Sequence, residues 1–401
     1  MLNDPARKAI SDKLLAFMDE PLGRARGEEG FSALALEVFA YQFARNPVYA
    51  RFCQGRSVTP ANVKRWQEIP AVPTTAFKEL PIACFPAERA AAVYESSGTT
   101  GTKRSKHYLS TLELYEASLK PNFQAHLLRD GARLPMLILA LPPRLAPKSS
   151  LTHMLEIVMG EWGAEGSRYY LDERGLQRHE LLDDLRRFQR AGEAVALLGI
   201  TFAFVHFIDH CLENKLTLHM PPGSRIMDTG GYKGRSREVP KEELYRLYGA
   251  VFGVPWHHVV NEYGMTEMSS QFYDTDLFDF VSRRNIGDSL LSPGGREPAL
   301  SPSKGVNGEG EPISGSRHKI GPPWTRTLVI DPETMLPARP GAIGLLRHFD
   351  LANLDSAMAI QTDDLGREIG GGFEILGRAK GAEARGCSLA VDELLSQAKE
   401  S

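Results

Sequence analysis

Beyond residue 90, short apolar runs alternate with stretches whose apolar residues recur every three or four positions, and few folds satisfy such an alternation. The runs fall at 136–141, 194–200, 225–227 and 259–260. Helix-period patterns lie near 112–128, 180–190, 202–212 and 242–252. Strands separated by helices of this length predict βαβ units and a mixed, largely parallel sheet with flanking helices, an α/β fold. Ser110-Thr111-Leu112-Glu113 has the spacing of a capping box and predicts a helix start there. Strand-like texture returns after Pro323 in TRTLVID, IGLLRHF and IGGGFEILGR. Ahead of this region, 6–18 and 32–44 read as amphipathic helices, followed by an extended passage marked by Pro70, Pro73, Pro81 and Pro86.

One stretch departs from the pattern. Residues 288–321 are rich in Ser, Gly and Pro and poor in large apolar side chains, which predicts a polar surface insertion. The composition as a whole is that of a soluble globular protein, with 42% hydrophobic and 24% charged residues among 401. A net charge of −3 leaves no global field for nucleic acid or an anionic membrane surface. The most apolar window, 195–208, is interrupted by Gly199 and Thr201 and falls short of the ~20 residues of a membrane span. The start, MLNDPARKAI, has no export signal, and four dispersed cysteines form no C-x-x-C pair. A cytoplasmic protein without a disulfide scaffold or zinc site is expected.

The strongest local signal runs from Ser96 through Ser97, Gly98, Thr99, Thr100, Gly101, Thr102, Lys103, Arg104, Ser105 and Lys106 to His107. Two glycines allow close backbone approach, and hydroxyls and cations beside them suit a polyphosphate. The Gly98-x-x-Gly101-x-Lys103 spacing is not that of a P-loop. From the residues alone, an ordinary polar turn is an equal reading. The segment SSGTTGxxxS, however, resembles the phosphate-binding loop of adenylate-forming enzymes, and SSGTTGTKRSKHYLS is similar to the acyl-protein synthetases of the LuxE type.

Further motifs follow in the matching order. Asn261-Glu262-Tyr263-Gly264-Met265-Thr266-Glu267 lies at the carboxyl end of an expected strand, where open α/β sheets bind ligands. By residue type, Tyr263 can stack on a base, Thr266 can donate to a phosphate, and Glu267 is a hard ligand for Mg²⁺. A solvated surface Glu is the commoner case, but the segment resembles the superfamily's Tyr-Gly-x-Thr-Glu motif. Gly230-Gly231 resembles the turn on which the adenine lies. Asp364 resembles the carboxylate that accepts both ribose hydroxyls, with Asp363 in place of the usual Gly, and Arg378 resembles the nucleotide-contacting arginine of the next motif. His206 and His210 share a helix face without a third metal ligand, and His206 and Gly264 are expected beside the acid substrate.

The resemblance implies three regions: a helical segment over 1–90 packed on the main unit, an α/β unit over 90–376, and a lid remnant over 377–401. After Gly377 only Lys380 and Lys399 remain, neither in a motif that matches the usual lid lysine, so the resemblance leaves two alternatives: another cation, such as Lys103, Lys106 or Lys233, at the reacting phosphate, or reliance on Mg²⁺ and the loop. The family places its acyl-accepting cysteine near the C-terminus, where Cys387 stands; alone, such a cysteine is more often a small buried apolar residue. The implied activity is ATP- and Mg²⁺-dependent activation of a carboxylic acid, a fatty acid by family, to an acyl-adenylate, with transfer to the Cys387 thiol and on to a reductase or acyltransferase partner. An acyl- or aryl-CoA ligase and a non-catalytic nucleotide-binding subunit remain as alternatives.

Overall fold

Asp4 caps the first helix by accepting from the Ala6 amide, and Pro5 brings the fixed φ of a first turn. The computed structural model describes residues 4–20, 28–97, 103–232, 234–279, 281–282 and 317–379. Its N-terminal helices are α1 (Pro5–Asp19), α2 (Glu28–Arg45) and α3 (Pro47–Gly55). The sequence reading has no counterpart for α3, although Asn46-Pro47 is a start signal: the Asn46 side chain accepts from the Tyr49 amide.

The Pro-rich passage holds β1 (Val72–Pro73) and the one-turn α4 (Ala76–Glu79), and leads to a hairpin of β2 (Ala92–Glu95) and β3 (Lys106–Leu109). The alternating section comprises α5 (Glu113–Leu127), β4 (Met136–Leu139), α6 (Ser150–Trp162), the short β5 (Arg168–Tyr169), β6 (Leu171–Asp172) and β7 (Gly175–Leu176), then α7 (Arg178–Ala191). It continues with β8 (Ala196–Ile200), α8 (Thr201–Glu213), β9 (Arg225–Thr229), α9 (Lys241–Phe252) and β10 (Val259–Tyr263). Beyond it come β11 (Phe272–Asp274), β12 (Lys319–Ile320), β13 (Thr325–Ile330), β14 (Gly344–Asp350), β15 (Ala359–Ile369) and β16 (Gly372–Arg378).

The expected α/β architecture is present. In one twelve-stranded sheet, β5, β4, β8, β9 and β10 are neighbours and parallel. From β10 the sheet turns antiparallel through β11, β12, β16, β15, β14 and β13, with β1 added parallel to β15. Helices cover both faces of the parallel half, which is why its strands place apolar residues on both faces instead of alternating apolar with polar. Leu137, Leu197, Ile226 and Val259 pack toward α7, α8 and α9, and Met136, Ile138, Leu198 and Val260 pack toward α5 and α6. A separate core joins α1–α3 to β14 and β15 through Phe31, Phe39, Tyr49, Phe349 and Ile360.

Two local expectations need correction. Ser110 does not cap α5: its hydroxyl donates to Asp355 Oδ2 at 2.6 Å, and α5 starts after Leu112 without a side-chain cap. A local signal lost to a carboxylate 245 residues away. The polar insertion expected through residue 321 also ends earlier, because Lys319–Ile320 is β12 and the Lys319 side chain is buried. Composition marked Lys319 as surface; Asp274, 3.0 Å away, makes its burial tolerable. Of the rest of that stretch, 288–316 lies outside the described residues.

Candidate active site

The carboxyl ends of β8, β9 and β10 lie side by side, and three polar assemblies meet around them. The first shapes the Gly230–Gly231 turn. Gly230 has φ of 71°, a left-handed conformation that glycine adopts without strain. Thr201, at the end of β8, donates through its hydroxyl to the Thr229 carbonyl at 3.1 Å. Asp228 is buried and accepts from Asn261 Nδ2 at 2.9 Å and the Tyr248 hydroxyl at 3.2 Å. Its burial pushes the carboxyl pKa up, partly offset by the Asn261 bond.

The second assembly presents Thr266 and Glu267. Their loop is held from beneath by the turn after β14: Asp350 Oδ2 accepts from the Ser269 and Ser270 amides at 3.0 and 2.8 Å, and Asn353 donates to the Glu267 carbonyl at 2.8 Å. His107 Nδ1 donates to the Thr266 carbonyl at 2.9 Å. A carbonyl can only accept, so the proton is on Nδ1, and full burial lowers the ring pKa to about 4. His107 is therefore a neutral strut and not a phosphate contact. The Glu267 carboxyl is buried too, which raises its pKa, while a hydrogen bond from Ser105 and the charges of Arg378 and Lys78 oppose the rise.

Ser105 also closes the neck of the phosphate-type loop. Its amide donates to Ser96 Oγ at 3.0 Å, and the Ser96 amide donates to the Ser105 carbonyl at 3.0 Å. Ser97 stands exposed beside the neck, whereas Gly98, Thr99, Thr100 and Gly101 lie outside the described residues. Lys103 is paired with Glu79 at 2.6 Å on the surface, and Lys106 is exposed. Glu95 takes Lys148 at 2.8 Å and Arg104 at 3.8 Å. Lys78 on α4, which no motif marked, adds a weak favourable charge at Glu267. Lys233 is outside the described residues.

The third assembly is a relay ending on Asp364. The Tyr263 hydroxyl donates to Asp364 Oδ2 at 2.8 Å, and Arg378 Nε donates to Oδ1 at 2.8 Å. Beneath Tyr263, the buried His348 lies 3.3 Å from the phenol oxygen through Nε2 and 2.9 Å from the Thr327 hydroxyl through Nδ1. Because the phenol proton goes to Asp364, Nε2–H donates to the phenol oxygen and Thr327 donates to Nδ1. Burial drops the ring pKa to about 3, consistent with one neutral tautomer. Asp364 keeps two lone-pair positions free of these bonds, the number a ribose diol requires.

The motif residues Ser96, Ser105, Gly230, Gly231, Tyr263, Gly264, Thr266, Glu267, Asp364 and Arg378 are thus distributed over assemblies that share the ends of β9 and β10. His206 is exposed on α8, and its Nε2 meets the Arg235 carbonyl at 2.7 Å. Cys387 lies outside the described residues. Lys78, Glu262, His348, Asp350 and Asn353 are additions of the structure. The one sequence signal for the last two was polar residues inside an otherwise apolar run, Phe349-Asp350-Leu351-Ala352-Asn353-Leu354.

This fold, with phosphate-type loop, Thr-Glu loop and Asp–Arg pair at the strand ends, is that of an adenylate-forming enzyme. A solved 2-hydroxyisobutyryl-CoA ligase, in its postadenylation state with 2-HIB-AMP, superposes with a TM-score of 0.57 at 14% identity, over 90% of this chain and 69% of that one. The family profile of acyl-protein synthetases, LuxE, matches residues 8–280, and the chain belongs to that family. Long-chain-fatty-acid–luciferin-component ligases of Aliivibrio fischeri and Vibrio harveyi are similar, 22% identical over 91% of this chain and 88% of the relative, and 20% over 90% and 87%. The chain is accordingly an AMP-forming acid ligase, which activates a carboxylic acid as its acyl-adenylate. Among the described residues no helix is long and apolar enough to cross a membrane.

Proposed function

We propose that the chain adenylates a long-chain fatty acid with ATP and Mg²⁺ and then carries the acyl group on Cys387. The observation that supports this best is the convergence of the Ser96–Ser105 neck, Glu267 and the Tyr263–Asp364–Arg378 relay on one set of strand ends. In this reading Asp364 accepts the ribose hydroxyls and the Gly230–Gly231 turn carries the adenine. The residues following Ser97 would, by their type, offer glycine amides and hydroxyls to the β- and γ-phosphates.

A divalent cation fits Glu267. A buried carboxylate beside a serine hydroxyl is a hard donor set, and among the described residues no lysine or arginine is bonded to it. Mg²⁺ commonly takes one protein carboxylate and completes its shell with phosphate oxygens and water. Bound there, it would neutralise charge on the phosphates; Lys78 and Arg378 supply the remaining positive field. The substrate carboxylate oxygen attacks the α-phosphorus, the P–O bond to pyrophosphate breaks, and the acyl-adenylate remains. The Cys387 thiolate then attacks the acyl carbonyl, AMP leaves with the electron pair of the broken C–O bond, and a thioester forms. A reductase or acyltransferase is the partner that would take the acyl group.

Carboxylate-dependent exchange of pyrophosphate into ATP tests the first half. Its absence with every chain length tried would overturn the reading. Labelled acid with ATP tests the second: label is expected on the wild-type chain and lost in Cys387→Ala, with exchange unchanged. A variant that still labels removes Cys387 from the mechanism, and transfer of label to coenzyme A instead would favour the CoA-ligase alternative.

A further inference from the structure

Glu262 carries a carboxyl that no step above uses, and it occupies an uncommon position. It is the penultimate residue of β10 and is 5% exposed. Its direct cross-strand partner is Thr229, the last residue of β9, whose hydroxyl donates to Glu262 Oε2. The other oxygen, Oε1, lies against the α-carbon of Gly264, in the space that a side chain at 264 would occupy. One carboxyl therefore touches the residue before the Gly230–Gly231 turn and the residue after Tyr263.

We propose that Glu262 is a positioning residue of the nucleotide cleft, which ties the end of β9 to the Tyr263–Gly264 turn and so sets the gap between the Gly230–Gly231 turn and Tyr263. It rests on the proposed function, in which that gap receives the adenine. Backbone pairing between β9 and β10 extends only as far as the Glu262–Thr229 pair, so beyond it side chains set the spacing of the two turns. A buried side-chain bridge across the strand ends fixes that spacing, and pre-organisation of this kind acts on affinity without touching the ligand. Gly264 is then obligatory for a second reason besides any contact with substrate: a side chain there would expel the carboxyl from its seat, which the Thr229 bond makes costly.

The charged and titratable groups facing Glu262 are Lys319 from β12, Asp228 from β9, Tyr115 from α5 and Tyr273 from β11. Burial raises the Glu262 pKa to about 7, against the Thr229 bond and the Lys319 charge. The bridge is thus neutral on the acid side of pH 7 and becomes an anion, close to where an anionic nucleotide binds, on the alkaline side. Nucleotide affinity is expected to fall as pH rises through this range.

Calorimetric titration of ATP into the full chain, at about pH 6 and about pH 8, tests this on wild type, Glu262→Gln, Glu262→Ala and Thr229→Val. Glu262→Ala is expected to weaken ATP about tenfold while the KM for the acid stays unchanged. Thr229→Val should do the same, and it keeps the bulk of the pair if the alanine variant fails to fold. Glu262→Gln should bind within about threefold of wild type at the lower pH and lose the wild-type decline at the higher; titration of ATP itself is common to both proteins and cancels in the comparison. A purely structural role would lower thermal stability without moving the affinity or its pH dependence. Affinity unchanged in Thr229→Val, or a Glu262→Gln profile that follows wild type, overturns the inference alone. A wild-type chain that binds no ATP overturns the proposed function and this inference with it.

Discussion

Asp364 is the residue where the site's geometry is most exposed to test. Its neighbours Tyr263 and Arg378 each hold one oxygen, yet the Arg378 side chain is 79% exposed, so the pair owes its geometry to Tyr263 more than to the ion pair. Asp364→Asn keeps the shape and loses an acceptor. The expected outcome in pyrophosphate exchange is a KM for ATP raised about tenfold or more with a smaller change in kcat, and a change confined to kcat would remove Asp364 from nucleotide binding. Glu267→Gln is expected to cut exchange about a hundredfold at low Mg²⁺ and to regain part of it at high Mg²⁺; a loss that does not respond to Mg²⁺ would remove Glu267 from metal binding. Glu262 also makes a stability prediction. Its carboxyl pKa is raised from 4.5 to about 7, so the folded chain binds more protons than the unfolded one between those values. The associated stability is complete below about pH 4.5 and lost as pH rises through about 7, up to about 3 kcal/mol. Thermal melts of Glu262→Gln against wild type should therefore favour the variant more at about pH 8 than at about pH 5. An equal offset at both would contradict the raised pKa.

Among the elements, β12 shows how a charge is made to belong in a sheet. Lys319 donates to the Asn261 carbonyl at 2.8 Å and to Asp274 Oδ1 at 3.0 Å, joining β10, β11 and β12. Arg317, stacked on Tyr245 at 3.7 Å, lies 3.7 Å from the same carboxylate. These cations hold the Asp274 pKa down to about 2 despite its burial. Asp274→Asn strands a buried ammonium and is expected to cost about 3–5 kcal/mol in denaturant unfolding, with part of the loss restored by adding Lys319→Met. Additive losses in the double variant would mean that the two residues do not act as a pair. Helix and strand positions in the alternating section were legible because apolar period is a local property of the chain. β12 was not, since a two-residue strand has no period and its lysine looks like surface. The Ser110 cap failed for the same physical reason: a nearby amide lost to the distant Asp355.

Across the whole molecule, the N-terminal helices share a core with β14 and β15, and Arg7 on α1 bonds to the buried Asp355 at 2.7 Å. Asp355 also accepts from the Ser110 amide and hydroxyl, which links α1 to the segment leading from β3 into α5. Three fully buried rings, His107, His126 and His348, have pKa values lowered to about 4, 4 and 3. Each is charged in the unfolded chain below about pH 6.5 but neutral in the fold, so each withdraws stability as pH falls from 6.5 toward its folded value. The melting temperature is expected to drop across that interval and to drop less steeply in His348→Gln; parallel slopes would show that His348 is not held neutral. What the sequence determined by itself was what contiguous residues can encode: the period of helices and strands, and the loops whose glycines, hydroxyls and carboxylates identify the family. Only the tertiary structure decided which charges work together. Lys103 pairs with Glu79, Asp350 supports the Thr266–Glu267 loop, and His348 underlies Tyr263. The physical reason is that burial and partner distance set a side chain's charge and reach, and both are properties of residues far apart in the chain.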